Sequence, residues 1–265
     1  TSRLVTNVTT DSNALLSYAK RLKRRIWVNM VDKYIAVSDY VALQLQDHAG
    51  VPAEKITTIF NGILLERFDV KDVAKEKLRV ELFGKNSRRK IICYVGQLSE
   101  EKGVLCLLAA IRCLSAIRDD FVLIVAGAGP LAALIADNEV IDGKKRIFFL
   151  KYRDDVEKIL SISDLLVCPS LWEEAFGLVL AEAAAAGVPC VASRVGGIPE
   201  VAIDGQTAVL FEPGDIDNLT EVLNTLLADD EKRKTLSINS KIHAMRHFNL
   251  SDVVARTLDV YNAYL

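Results

Sequence analysis

The run Asp164-Leu-Leu-Val-Cys168 leads straight into Pro169-Ser-Leu-Trp-Glu-Glu-Ala-Phe-Gly-Leu-Val-Leu-Ala-Glu-Ala183. An apolar stretch of strand length is thus followed, across a short loop, by an alanine-rich helical pattern. The same unit recurs along the chain. Strands are expected at Lys90–Val95, Phe121–Ala126, Arg146–Leu150, Asp164–Cys168, Pro189–Ala192 and Ala208–Phe211, each followed by a helical segment. Continuously apolar strands alternating with helices indicate a parallel sheet covered on both faces. The expected fold class is therefore α/β, with a Rossmann-like parallel six-stranded sheet.

Outward from that sheet, the pattern changes at both ends. On the N-terminal side, a helix around Asn13–Met30 leads to a strand at Tyr34–Val37. A helix capped by Ser38, a strand near Ile56–Phe60 and an Asn61-Gly62 turn follow. This resembles the last part of a second α/β domain. No strand is expected before Ser12, and Thr1 stands where an initiator Met would, so the sequence reads as cut from a longer chain. On the C-terminal side, three helices are expected at Asp215–Ala228, Asp230–His247 and Ser251–Leu265. The resulting division is 1–70 for a partial N-terminal domain and linker, 71–248 for the sheet domain, and 249–265 for a helix packing across the junction.

Composition narrows the functional classes. Of 265 residues, 51% are apolar and 26% charged, with 33 basic and 35 acidic side chains. This is a globular composition, and a formal charge of −2 gives no general attraction for nucleic acid. Any anion must be held locally. The five cysteines, Cys93, Cys106, Cys113, Cys168 and Cys190, form no zinc-type pair and read as buried free thiols in a reducing cytoplasm. No apolar stretch reaches the ~18 residues of a membrane span.

The chemistry concentrates at strand ends. Phe176-Gly177-Leu178 opens a helix whose first N–H groups lack intrahelical partners, and whose dipole adds roughly half a positive charge, a favourable place for phosphate. Glu174 precedes that helix and Glu182 follows eight residues later, at most ~12 Å away at helical rise. Each carboxylate can accept from a diol through two oxygens, which suits hydroxyls at the two ends of a nucleotide sugar. A second loop, Gly96-Gln97-Leu-Ser-Glu-Glu-Lys102-Gly103, follows the first strand of the domain, and Lys102 near a helix start calls for an anionic partner.

Other features are less specific. Val195-Gly196-Gly197-Ile-Pro199-Glu200 ends a strand, and Glu200 in a first helical turn serves structure as readily as ligand contact. Gly127-Ala-Gly129-Pro-Leu-Ala132 satisfies a dinucleotide fingerprint and supplies a rival, nicotinamide-dependent reading, but it lies on the second strand rather than the first. His48, His243 and His247 read as surface or packing residues rather than bases. The basic run Lys20-Arg21-Leu-Lys23-Arg24-Arg25, with Tyr18 and Trp27 nearby, is a solvated helix face or a peripheral contact with an anionic membrane face.

Taken together, these residues resemble the retaining glycosyltransferases of family 4, the group 1 family, which have the two-domain GT-B fold. The E-x-F-G-x4-E motif appears as Glu174-Ala-Phe176-Gly177-Leu-Val-Leu-Ala-Glu182. The G-R-L-x-x-x-K-G loop appears as Gly96-Gln97-Leu98 through Lys102-Gly103, and the G-G-x-P-E turn as Gly196 to Glu200. Asp32-Lys-Tyr-Ile-Ala-Val-Ser38 and Asn61-Gly62-Ile63 through Phe68 match the D-x-Y-I-x-V-S and N-G-I-x-x-x-x-F elements.

The resemblance implies sugar transfer from a nucleotide diphosphate sugar to a hydroxyl acceptor (sugar, lipid-linked glycan or protein), with retention at the anomeric carbon and without metal or other cofactor. It implies catalytic roles for Glu174 and Lys102. Glu174, Phe176, Gly177 and Leu178 would hold the sugar and diphosphate, Glu182 the ribose and Lys102 the diphosphate. Gly96, Gln97, Arg153 and Lys158 complete the donor set, Arg153 bordering the base through its backbone. Gln97 departs from the family's Arg, a loss on the order of 1 to 3 kcal/mol unless Arg153 or Lys158 compensates. The family's N-terminal glycine-rich loop and acceptor-side histidine have no counterpart, so this stretch alone is expected to bind donor but transfer poorly. The alternatives are a donor-binding module needing a separate N-terminal chain, and a GT-B-fold sugar-nucleotide epimerase. The expected location is the cytoplasm, or the cytoplasmic membrane face through Lys20–Arg25.

Overall fold

The computed structural model describes residues 6–7, 28, 30–84 and 89–264. The expected helix around Asn13–Met30 and the basic run Lys20–Arg25 lie almost wholly outside them.

Six strands form the central sheet: β4 (Lys90–Val95), β5 (Phe121–Ala126), β8 (Ile147–Phe149), β9 (Leu165–Cys168), β10 (Cys190–Ser193) and β11 (Ala208–Phe211). Their order is β11-β10-β9-β4-β5-β8, and every pairing is parallel. Read in chain order this is the doubly wound arrangement 3-2-1-4-5-6, whose direction reverses between β4 and β9. Ligands bind such sheets at the carboxyl ends of the strands flanking that reversal. The crevice that the topology predicts thus opens between the Gly96 loop and the Pro169 loop.

The strands read as unbroken apolar runs because both faces are covered. Alternate side chains feed two cores: Ile91, Cys93, Val122, Ile124, Leu166 and Ala192 point one way, and Ile92, Tyr94, Leu123, Val125, Val167 and Val191 the other. Asp164 stays outside β9 because its carboxylate accepts the Ile91 N–H at 2.7 Å, tying the entrances of two neighbouring strands. A two-stranded antiparallel ribbon, β6 (Val140–Ile141) with β7 (Lys144–Lys145), interrupts the path to β8 and was not expected.

A second, three-stranded parallel sheet contains β1 (Thr6–Asn7), β2 (Tyr34–Ala36) and β3 (Ile56–Thr58). β1 corrects the expectation of no strand before Ser12. Its two residues are too short a run to show a strand period, and pairing with Tyr34 and Ile35 defines the strand. Helix α1 (Asp39–Ala49) follows β2 as the Ser38 cap predicts, since the Ser38 hydroxyl accepts the Val41 N–H and Gly50 closes the helix at φ 66°. Val28, Val31, Tyr34, Ala36, Val41, Leu45 and Val51 give this part its own small core.

The remaining helices are α2 (Asp72–Phe83), α3 (Val104–Ile117), α4 (Ala132–Asp137), α5 (Val156–Ser161), α6 (Leu178–Ala186), α7 (Ile198–Val201), α8 (Ile216–Ala228), α9 (Asp230–His247) and α10 (Leu250–Asn262). The last starts where the chain returns to the connecting segment. The Ile63 N–H reaches the Phe248 carbonyl at 2.8 Å, the Leu250 N–H returns to Ile63 at 3.1 Å, and Arg256 donates to the Thr58 carbonyl. Gly62 permits this approach, since a Cβ there would lie 2.8 Å from the Leu250 Cα. Four thiols are buried as expected, but Cys113 is exposed, on the outer face of α3.

Candidate active site

Two loops meet at the reversal of the sheet. The first runs from Gly96 to Gly103. Its last glycine sits at φ 70°, and a Cβ there would lie 1.7 Å from the Pro169 carbonyl oxygen, so only glycine lets the loops touch. The Leu171 and Trp172 N–H groups both donate to the Glu101 carbonyl across this seam. These backbone bonds set Lys102 opposite Glu174, with Nζ 2.6 Å from Oε1, and the Ser170 hydroxyl donates to the same oxygen at 2.6 Å. Lys102 and Glu174 are therefore in direct contact. Ser170 is an addition that its spacing of four residues from Glu174 could have suggested.

Gly177 caps α6 at φ 86° with no side chain satisfying the first turn. The helix N-terminus is left to an anionic ligand or solvent. Phe176 is buried and packs against Phe60 and Phe248 at ring separations of 5.8 and 5.6 Å. Its side chain anchors the turn. Leu178 is half-exposed at the start of α6.

Beyond this cluster lies a cavity of about 490 Å³. Gly96, Gln97 and Glu182 line it with Gly127, Tyr152, Arg153 and Asp154. Burial raises the Glu182 carboxyl above its ordinary range, Arg67 pulls it down, and Glu157 pushes it up again. Arg153 lines the cavity but is held by Asp155 through two contacts of 2.7 and 2.8 Å, and Lys158 reaches the same carboxylate at 3.2 Å. Both expected substitutes for the missing arginine at Gln97 are thus committed to Asp155, and Lys158 is not among the cavity's lining residues. Lys151, at the head of this loop, takes a left-handed φ of 57° while its carbonyl accepts the Gly127 N–H.

The fingerprint glycines serve packing. A Cβ on Gly127 would lie 1.9 Å from the Gly96 carbonyl oxygen, and one on Gly129 would lie 2.4 Å from that of Leu98. They let the β5 loop lie against the β4 loop, which accounts for them without a dinucleotide. Of the histidines, His243 packs against Phe248 and His247, far in sequence from the strand-end loops, and burial lowers its ionisation range.

The N-terminal part docks directly on these loops. The Asp39 and Tyr40 N–H groups donate to the two Glu200 oxygens at 2.6 and 2.8 Å, the Ser38 hydroxyl donates to the Ala175 carbonyl at 2.5 Å, and the Tyr40 hydroxyl donates to Glu173. Gly197 donates its N–H to the Glu174 carbonyl at 2.7 Å, and a Cβ on Gly196 would collide with that oxygen. Glu200 therefore caps a helix of the other domain. Sequence reasoning left its role open and found neither Tyr40 nor Ser38 as interdomain residues.

The reversal of the doubly wound sheet thus brings together a helix N-terminus with no side-chain cap, a lysine–glutamate pair and a cavity lined by a second glutamate. The pattern of the glycosyl transferases group 1 matches residues 75–243, and that of glycosyltransferase family 4 matches residues 6–67. The chain belongs to the group 1 glycosyltransferases. It is 28% identical to spore coat protein SA of Bacillus subtilis (strain 168), across 94% of this chain and 70% of that protein. It is 32% identical to D-inositol 3-phosphate glycosyltransferase of Corynebacterium glutamicum (strain R), across 95% of this chain and 62% of that protein. Both relatives are longer than this chain.

Among solved structures, HepE of Anabaena in complex with UDP superposes with a TM-score of 0.81 at 25% identity, covering 91% of this chain and 68% of that one. Its complex with UDP-glucose gives 0.79 at 26%. The α/β fold, with its six-stranded parallel sheet, is that of GT-B glycosyltransferases. No helix among the described residues is long and apolar enough to cross a membrane.

Proposed function

We propose that this chain binds a nucleoside diphosphate sugar and supplies the donor side of a retaining, metal-independent transfer of a hexose to a hydroxyl acceptor. The observation that carries this reading is the Lys102–Glu174–Ser170 cluster beside the uncapped start of α6. Without ligand, each charge neutralises the other. A donor diphosphate would replace the carboxylate as partner of Lys102, which leaves Glu174 free to accept from sugar hydroxyls. Lys102 and the α6 amides then take up charge developing on the departing diphosphate, and preorganised donors do this well where water is excluded.

Departure and attack on one face, with the leaving phosphate oxygen taking the acceptor proton, would need no protein base. Glu182, in the cavity lining, receives the ribose diol. UDP is the first nucleotide to try, since the HepE complexes are described with UDP and UDP-glucose. The epimerase reading has no such support, and the packing role of Gly127 and Gly129 removes the ground for a dehydrogenase. Transfer by this chain alone is expected to be weak, because its relatives carry further length on which an acceptor site can be built.

Calorimetric titration with UDP, UDP-glucose, GDP- and ADP-sugars, each with and without excess EDTA, tests the proposal. Saturable binding of one donor that EDTA leaves unchanged is expected. Binding lost on chelation overturns the metal-independent part, and no binding of any donor overturns the whole.

A further inference from the structure

An arginine enters the cleft from the segment that connects the two sheets. Arg67 lies in the single helical turn Leu65–Phe68, whose last residue, Phe68, is buried in the main core. That anchoring sends the Arg67 side chain into the lining of the cavity that also holds Glu182 and Asp154. Its Nη2 lies 2.8 Å from the Glu157 Oε2 and 3.4 Å from the Asp154 carbonyl oxygen.

This end of the cleft is rich in negative charge. Asp154 precedes α5, Glu157 lies in its first turn, and Glu182 faces them from α6. The nearby cations, Arg153 on the loop and Lys158 on α5, are held by Asp155. We propose that Arg67 is a positioning residue for nucleotide binding, acting through Glu157 and Glu182 from outside the donor domain. This rests on the donor reading above, in which Glu182 takes the ribose diol.

The physical argument turns on the form of Glu182 that binds. An ionised carboxylate offers both oxygens as acceptors, whereas a protonated one loses part of that capacity. Burial and Glu157 favour the protonated form, and Arg67 opposes them both. With Arg67 present, its pairing with Glu157 also removes much of the repulsion between the two glutamates. With it gone, the Glu157 and Glu182 carboxylates repel one another without that counter-charge. A carboxyl raised above its ordinary range keeps its binding capacity at high pH and loses it as pH falls through the raised value. Removing Arg67 moves that loss to higher pH. The groups facing Glu182 are Arg67 from the connecting turn, Glu157 from α5, and Asp154 and Arg153 from the loop after β8.

The test is UDP binding by the purified 265-residue chain at pH 8 and pH 6, by calorimetry. The forms compared are the unaltered chain, R67K, R67Q, E182Q and R67Q/E182Q. Dividing each variant by the unaltered chain at the same pH cancels titration of the nucleotide. R67Q is expected to weaken binding by up to about fivefold more at pH 6 than at pH 8. R67K should keep the unaltered profile, and the excess loss at pH 6 should vanish in the E182Q background. An R67Q loss that is equal at both pH values, or that persists in E182Q, overturns the role of Arg67. A chain that binds UDP, GDP and ADP not at all overturns the donor reading instead. Thermal melting of R67Q and R67K separates a folding defect from either outcome, since a shared loss of stability would strike both pH values alike.

Discussion

Replacing Glu200 with Ala removes the one carboxylate that spans from the Gly196–Glu200 turn to the start of α1. It accepts from both Asp39 and Tyr40 at 2.6 and 2.8 Å, and so does the work of a cap for a helix in another domain. Loss of an N-terminal cap costs about 0.5 to 2 kcal/mol, and loss of a negative charge at a helix start adds about 0.3 to 1 kcal/mol. The two overlap, so about 1 to 2.5 kcal/mol is expected for Glu200→Ala. Glu200→Gln keeps one acceptor and should lose about half as much. The remaining links, Ser38 to Ala175 and Tyr40 to Glu173, are untouched and limit the damage to loosening. Hydrogen exchange reads this directly. Amides of α1 should exchange roughly 5- to 70-fold faster in Glu200→Ala, while those of α3 in the main core stay as they were. Unchanged α1 exchange, or acceleration spread equally over the main sheet, would refute the reasoning that this contact is a local interdomain clamp.

Glu182→Ala is expected to weaken binding of UDP itself, by about 1 to 3 kcal/mol, whereas Glu174→Ala should reduce mainly the increment that a donor sugar adds. Titration with UDP and UDP-glucose in parallel decides this, and a reversed pattern would exchange the two roles. A thiol reagent applied to the native chain should react quickly with Cys113 alone, because Cys93 and Cys168 are buried and burial pushes their thiols up to about 12 and about 11. Mass spectrometry of the labelled peptides checks this, and early labelling of Cys93 or Cys168 would contradict the packing around β4 and β9.

Much of the main sheet was legible because its signals are local. Each strand is a short apolar run bounded by turn residues, and three of the six, β4, β5 and β11, have the expected boundaries to the residue. One helix start announced itself, since Ser38 accepts an N–H from the first turn of α1 as expected, whereas Asp215 and Asn249 prove to be caps lying just before helices expected to begin at Asp215 and Ser251. Lys102, Glu174 and Glu182 were candidates because strand–loop–helix units place chemistry at predictable ends, and the fold puts the first two in contact and the third in the cavity lining. The β6–β7 ribbon and β1 were not foreseeable in this way, since two-residue strands carry no periodicity and exist only through their partners.

The charge economy of the cleft lies outside local sequence for the same reason. Arg153 and Lys158 stand within five residues of one another and look available for a diphosphate, yet Asp155 between them is the nearest carboxylate to both. Arg67 stands roughly ninety residues from Glu157, its partner. Whether a cation faces a ligand or a neighbour is decided by which carboxylate the fold brings nearer. Here the chain of consequence runs from the buried Phe68, which pins the connecting turn, to the Arg67 side chain, to Glu157 and then to Glu182. The same connecting segment holds Ile63 against Phe248 and Asn249. The turn that carries Arg67 is thereby fixed to the main sheet at both Ile63 and Phe68, so Arg67 should keep its place beside Glu157 even where the Glu200 contact with α1 is loosened.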